Sequence, residues 1–276
     1  MSLKTILVHL ANDEEHVTRL KVALKLAREQ NAKVFAIFIA NPVGMPPAIA
    51  GRGASSAYIA EATRAARERA QELEAEFASA CSRDGVDFSW LVIEGDHVDV
   101  LSEHAHAADI IIASQPVVEH LEDRFRVRLQ EELVMKSGLP VLIIPKGFDP
   151  DKDIGKHILV GWKGTREAVR AVRDALPMLQ AAEKVIVLTV GADTGDALSK
   201  LEVMGHLRRH GIEAKTENIQ HLDEGTGPTI TDFAEAHGCD LIVLGAYGHS
   251  RWREVFMGGV TKHMLMKSKV PVMLSH

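Results

Sequence analysis

The amino-acid sequence predicts an α/β protein made of two tandem copies of one domain, each a mostly parallel five-stranded sheet flanked by helices. Three observations carry that prediction. The chain repeats itself, its apolar runs are continuous rather than alternating, and those runs take turns with amphipathic helical patterns. Continuous Val/Ile/Leu runs mark parallel strands buried on both faces. Their alternation with helices marks an open sheet with right-handed crossovers.

The elements follow in order. Lys4-Thr-Ile-Leu-Val8 opens the first copy and Lys156-His-Ile-Leu-Val160 the second. A helical pattern follows each, with apolar positions Val17, Leu20, Ala23, Leu24 and Ala27, then Val169, Val172, Ala175, Leu176 and Leu179. Second strands come next, Val34–Ile39 and Val185–Val190. The fourth strands, Ala108-Asp-Ile-Ile-Ile-Ala113 and Cys239-Asp-Leu-Ile-Val-Leu244, and the fifth, Leu139-Pro-Val-Leu-Ile-Ile144 and Val270-Pro-Val-Met-Leu-Ser275, superimpose with a constant shift of 131. A period this long means tandem domains rather than a solenoid. The turn-rich stretch Lys146-Gly-Phe-Asp-Pro-Asp-Lys-Asp153 separates domain 1 (1–147) from domain 2 (154–276).

Composition narrows the function classes. With 276 residues, 46% apolar and 25% charged, the chain is neither disordered, fibrous nor a disulfide scaffold. A net charge of −6 gives no bulk attraction to nucleic acid or an anionic membrane. Two cysteines, Cys81 and Cys239, suit a reducing compartment. The first residues run into Asn12-Asp13-Glu14-Glu15 and do not read as a signal peptide. A cytoplasmic location is the expectation.

Two segments stand out as candidate ligand sites. Asn41–Tyr58 is rich in Pro and Gly and reads as a long loop, a functional lid or a disordered stretch; the equivalent connection in the second copy, Gly191–Asp196, is far shorter. After the fourth strand of the second copy comes Gly245-Ala246-Tyr247-Gly248-His249, then Gly258-Gly259-Val260-Thr261 opening a helix. Glycines at the carboxyl end of a strand permit a sharp turn and close approach to a ligand. A helix amino terminus offers free N–H groups to phosphate, and Thr261 is placed to cap the helix or bond a phosphate oxygen. In open α/β sheets ligands gather at this end, at the switch point of the strand order.

Gly245, two residues, Gly248, nine residues and Gly258 make a pattern that resembles the universal stress proteins over essentially the whole chain. The resemblance implies two Rossmann-like domains of the adenine nucleotide alpha hydrolase-like kind. It also implies ATP binding in some members, with or without magnesium, and pairing of the domains through their last strands. Two departures stand out. Gly259 occupies the place of the family's Ser or Thr, and Lys163 the place of its Asp at the end of the first strand. Lys163 either pairs with a phosphate or is an exposed loop lysine. Trp162, Lys163, Gly164 and Thr165 would form the wall opposite the glycines. In the first copy the motif glycines map to Ser114, Val117, Val127 and Arg128, and the Asp position to Ala11. That copy is not expected to hold a nucleotide in the family manner, so one ligand per chain is expected.

Other constellations carry less. No Walker A, G-x-G-x-x-G or G-x-S-x-G pattern occurs in the chain. His104 and His106 point to different helix faces, so with His97 they do not make a metal site. Asp109 and Asp240 precede their strands, at the far end from the glycines, and read as turn or cap residues. Glu14-Glu15 and Glu131-Glu132 read as solvated helix faces, and Arg64, Arg67 and Arg69 as surface ion pairs. Arg251 and Arg253 beside His249 either reach phosphates or are solvated. The expectation is a stress-response regulator binding an adenine nucleotide in domain 2, with no catalytic residue and no metal ligand assigned. The alternatives are a ligand-free interaction module built as a pseudo-dimer, and a slow ATPase. The apolar last strands favour pairing, with a homodimer as a further step.

Overall fold

The computed structural model describes residues 2–41, 56–116, 124–191, 196–219, 225–248 and 259–276, with the side chains of 56–59, 124–128 and 196–198 left aside. By contact the chain divides into two compact units. One comprises 3–139 and 146–151, the other 140–145 and 152–276.

The first unit holds strands β1 (Thr5–Leu10), β2 (Lys33–Ile39), β3 (Phe88–Ile93) and β4 (Ile110–Ser114). All pair parallel, with β1 between β2 and β4 and β3 beyond β2. The helices are α1 (His16–Gln30), α2 (Ser56–Asp84), α3 (His97–His104) and α4 (Arg124–Lys136). α2 starts inside the stretch read as a loop from 41 to 58; residues 42–55 of that stretch lie outside the described residues. Asn31 ends α1 in the left-handed conformation with φ 52°, a conformation Asn tolerates better than most residues.

The second unit holds β5 (Val141–Ile144), β6 (His157–Gly161), β7 (Lys184–Val190), β8 (Ala214–Ile219), β9 (Leu241–Gly245) and β10 (Val272–Ser275), with helices α5 (Arg166–Ala181), α6 (Asp196–Arg209), α7 (Thr226–Ala236) and α8 (Gly259–Lys267). β6 lies between β7 and β9, β8 beyond β7 and β10 beyond β9, all parallel. β5 is antiparallel to β10, with Leu142 opposite Met273. The last strand of the first copy therefore groups by contact with the second, and its pairing covers the β10 edge.

Strand burial follows the apolar runs: Ile110–Ala113 and Leu241–Val243 are at most 1% exposed. Helix burial departs from the periodic reading at one position in each first helix. Val17 and Val169 are 38% and 39% exposed, whereas Arg19 is only 2% exposed. Glu15, read as solvated, is also buried, and its Oε1 accepts a bond from Gly147 N at 3.1 Å. The paired aspartates do cap strand starts, in both copies. Asp109 accepts from the N–H groups of Lys4 and Thr5 at 2.6 and 2.8 Å. Asp240 accepts from Gly155, Lys156 and His157 at 2.8 to 3.1 Å.

Candidate functional site

In the second copy the strand order turns between β6 and β9, so the carboxyl ends of those strands, Gly161 and Gly245, define the crevice where a ligand would sit. The β6–α5 connection forms one side. Trp162 is buried, its backbone N–H bonds Leu188 O at 2.8 Å and its indole N–H donates to Ser199 Oγ at 3.3 Å. Lys163 and Gly164 are exposed. Thr165 is the N-cap of α5, in extended backbone, with Oγ1 accepting from Ala168 N at 3.3 Å. This is the ordinary Ser/Thr cap, satisfying one of the helix's free amides.

The glycine turn forms the other side. A Cβ on Gly245 would overlap the Glu167 carbonyl carbon and lie 2.5 Å from Ala168 N. Gly245 is thus needed for β9 to pack on the first turn of α5. Ala246 is buried, donates its N–H to Ser275 O and accepts from the His276 ring at 3.1 Å. Tyr247 adopts φ 60°, uncommon for a residue with a side chain. Gly248 is exposed. A Cβ there would lie 3.0 Å from Glu167 Oε2 and 3.4 Å from Thr165 Oγ1. Gly245, Gly248 and Thr165 are therefore brought together around the amino end of α5.

The remaining residues read from the sequence are placed differently. Gly259 is the first residue of α8, exposed, with no atom within 4 Å of where a Cβ would stand. Val260 follows it, half-buried. Thr261 is buried at the third position of α8. His249, Gly258, Arg251 and Arg253 lie outside the described residues. Trp162, Gly164 and Thr165 also line a cleft of about 400 Å³ between α5 and α6, with Arg166, Arg173 and His206 on its walls.

Sequence reasoning missed Glu167. It sits in the first turn of α5, only 7% exposed, and Arg166 Nε reaches its Oε1 at 3.1 Å. Burial pushes its carboxyl up, but bonds from its own N–H, Arg166 and Thr165 outweigh burial and hold it below the usual carboxylate value. Only its unremarkable place after a capping threonine was visible in the sequence.

In the first copy the ends of β1 and β4 are bridged by the protein's own side chains. Arg19, from α1, donates to His9 O at 2.6 Å, to Ser114 Oγ at 2.9 Å and to Asp13 Oδ2 at 2.6 Å. Ser114 is the residue aligned with Gly245. Gln130 from α4 donates to Ser114 O at 2.8 Å. Beside this cluster His9 Nε2 meets His97 Nδ1 at 2.9 Å, and His97 Nε2 meets Asn41 O at 2.9 Å. A carbonyl only accepts, so His97 carries its proton on Nε2 and accepts from His9 Nε2–H. Burial, then Arg19 and His97, hold His9 well below the usual histidine pKa, and burial lowers His97 likewise. Val127 and Arg128 fall in α4, with side chains outside the described set, and Val117 lies outside the described residues.

Among the described residues no three His, Cys, Asp or Glu side chains converge as a metal-binding group, and no helix is long and apolar enough to cross a membrane. Cys81 and Cys239 are buried and their thiols are pushed up by burial, Cys81 to about 11.

Tandem α/β copies, each built on parallel strands flanked by helices, define the Rossmann-like class. The sequence profile of the universal stress protein family matches residues 2–145 and again 155–276. The chain belongs to the universal stress protein family, as a tandem two-domain member. A curated relative, Universal stress protein Slr1230 of Synechocystis, is 28% identical over 148 residues, 52% of this chain and 49% of that protein. The chain thus spans about half the length of that relative. A solved universal stress protein from Archaeoglobus fulgidus shares the fold over 98% of this chain and 97% of its own, at TM-score 0.73 and 18% identity. A functionally unknown Pseudomonas aeruginosa protein, PA1789, does so over 99% and 92%, at TM-score 0.61 and 16% identity.

Proposed function

We propose that the chain is a stress-response regulator that binds one adenine nucleotide, in its second copy, between the Gly245–Gly248 turn and the start of α8. One observation supports this above the others: Gly248 is exposed at the switch point beside the α5 cap, while in the first copy Arg19 bonds Ser114, the residue aligned with Gly245, and the His9 carbonyl. The amino end of α8, with nothing within 4 Å of where a Cβ on Gly259 would stand, suits a phosphate. Lys163, exposed on the facing loop, supplies a positive charge in place of the family's Asp. The reading is of a sensor rather than a fast catalyst, because phosphoryl transfer depends on positioned groups and the Glu167 carboxylate is already engaged by Arg166 and Thr165.

Calorimetric titration of nucleotide-stripped protein with AMP, and with ATP and magnesium, tests the reading. One site per chain for either ligand, lost in Gly248→Val, is the expected result. Two sites per chain would overturn the closure of the first copy. No heat at millimolar ligand would overturn nucleotide binding and leave the interaction-module reading.

A further inference from the structure

The cleft between α5 and α6 takes no part in the nucleotide reading, and opposite charges face each other across it. We infer that it binds a small zwitterion with an apolar body, of the class of a free amino acid with a large apolar side chain.

The two helices line the cleft with matching stripes. On α5, Arg166, Val169 and Arg173 fall at i, i+3 and i+7. On α6, Ser199, Glu202, Val203 and His206 fall at i, i+3, i+4 and i+7. Seven residues of helix rise about 10 Å, so the cleft is a trough about 10 Å long. An extended peptide of more than about three residues would overrun it. Its volume of about 400 Å³ is that of a small-molecule site. The trough leads away from the switch point, and its facing charges lie past the first turn of each helix. Its base is apolar, formed by the buried Trp162, Val172 and Val203. Val169 belongs by helical period to the same apolar stripe, and the open cleft beside it is why it is exposed. Apolar surface left open between two helices favours an apolar group that covers it.

Charge decides the class of ligand. Arg166 is held by Glu167 at 3.1 Å, so that pair adds no net charge. Burial, then His210, Arg209 and Arg173, hold His206 below the usual histidine pKa, and its ring is neutral at pH 7. Arg173 on the α5 wall and Glu202 on the α6 wall remain, both exposed. Among the described residues neither side chain makes a hydrogen bond or an ion pair, with the other or with a third group. A cation and an anion on opposite walls, unbridged, complement a molecule that carries both charges. Its carboxylate would lie toward Arg173, its ammonium toward Glu202, and its side chain over Val169 and Trp162. A simple anion would meet Glu202 and a simple cation Arg173, so each is disfavoured.

The test uses the indole N–H of Trp162, which donates to Ser199 and is one of three tryptophan indoles in the chain. Its resonance is followed by heteronuclear NMR of the nitrogen-labelled, nucleotide-free full chain and is assigned with Trp162→Phe. The probes are phenylalanine, phenylpropanoate, which lacks the ammonium, and phenylethylamine, which lacks the carboxylate. Phenylalanine is expected to shift the resonance saturably and to bind about fivefold more tightly than either analogue, the weight of one exposed ion pair. In Glu202→Gln the advantage over phenylpropanoate should vanish, and in Arg173→Gln the advantage over phenylethylamine. Val169→Trp, at an exposed position, should fill the trough and abolish the shift while the circular dichroism stays that of the wild type. No shift with phenylalanine up to its solubility overturns the inference. So does equal affinity for the three probes, which would mark an apolar crevice alone, and so does a shift that survives Val169→Trp. Each of these results leaves the nucleotide reading to its own titration.

Discussion

Replacing Gly245 with alanine isolates what the first motif glycine does. The added Cβ would overlap the Glu167 carbonyl carbon and lie 2.5 Å from Ala168 N and 2.8 Å from Glu167 Cβ. Two of these three are backbone atoms in the first turn of a 16-residue helix, so no side-chain rotation relieves them. β9 and α5 must separate by about 1 Å, in a core packed to near-crystalline density. Overpacking of this kind costs about 1–3 kcal/mol, and the rigid neighbours put Gly245→Ala at the upper end, about 3 kcal/mol. That corresponds to a fall in Tm of roughly 6–12 °C for a unit of this size. Two controls share the chemistry but not the geometry. In Gly161→Ala the clash is with a methyl of Leu244, which can rotate away, and the cost should be about 1 kcal/mol. In Gly259→Ser nothing stands within 4 Å, and stability should change by less than about 0.5 kcal/mol. Urea and thermal unfolding followed by circular dichroism rank the three. If Gly245→Ala unfolds with Gly259→Ser, the glycine is there for ligand approach and the packing argument fails.

Other expectations concern the first copy and the strand caps. Arg19→Met keeps the side-chain stem but strands Asp13, Ser114 and the His9 carbonyl; it should cost about 3 kcal/mol by urea unfolding, and a loss under 1 kcal/mol would show the guanidinium to be dispensable. His9 and His97 have folded-state pKa values below the unfolded value of about 6.5, so the unfolded chain takes up protons first; stability is complete above that pH and is lost as pH falls through it, by up to about 1.4 kcal/mol per pH unit for each histidine. His206 and His263 are lowered by burial too, so the informative quantity is the shallower slope of the urea midpoint between pH 7.5 and 5.5 in His97→Gln; an unchanged slope refutes the assignment. Asp240→Ala leaves the N–H groups of Gly155, Lys156 and His157 without their acceptor and should cost about 2 kcal/mol, whereas Asp240→Asn, which keeps an oxygen there, should cost less; equal losses would point to charge instead.

Much of the fold was legible because it rests on local pattern. The Val/Ile/Leu runs of β1, β4, β6 and β9 need both faces covered whatever covers them, and the shift of 131 required no knowledge of contacts. The roles of Asp109 and Asp240 were legible for the same reason, since each directly precedes its strand. The candidate site was legible only where backbone freedom is written as glycine, at Gly245 and Gly248.

Tertiary structure decided the rest, because a charged side chain is buried only when distant partners satisfy it. The helical period of α1 puts Val17 inward and says nothing of Arg19; Ser114, 95 residues away, and Asp13 decide that the arginine is the buried one. His97 looked like one histidine among many until it met His9, 88 residues earlier. Gly245 and Gly248 looked alike as motif glycines, and the first turn of α5 separates them, with backbone against one and the Glu167 carboxylate facing the other. Sequence alone determined which segments are strands, how they repeat and where glycines follow a strand end. The fold decided which charges line that place, since burial and hydrogen bonding are properties of residues that meet only when the chain is folded.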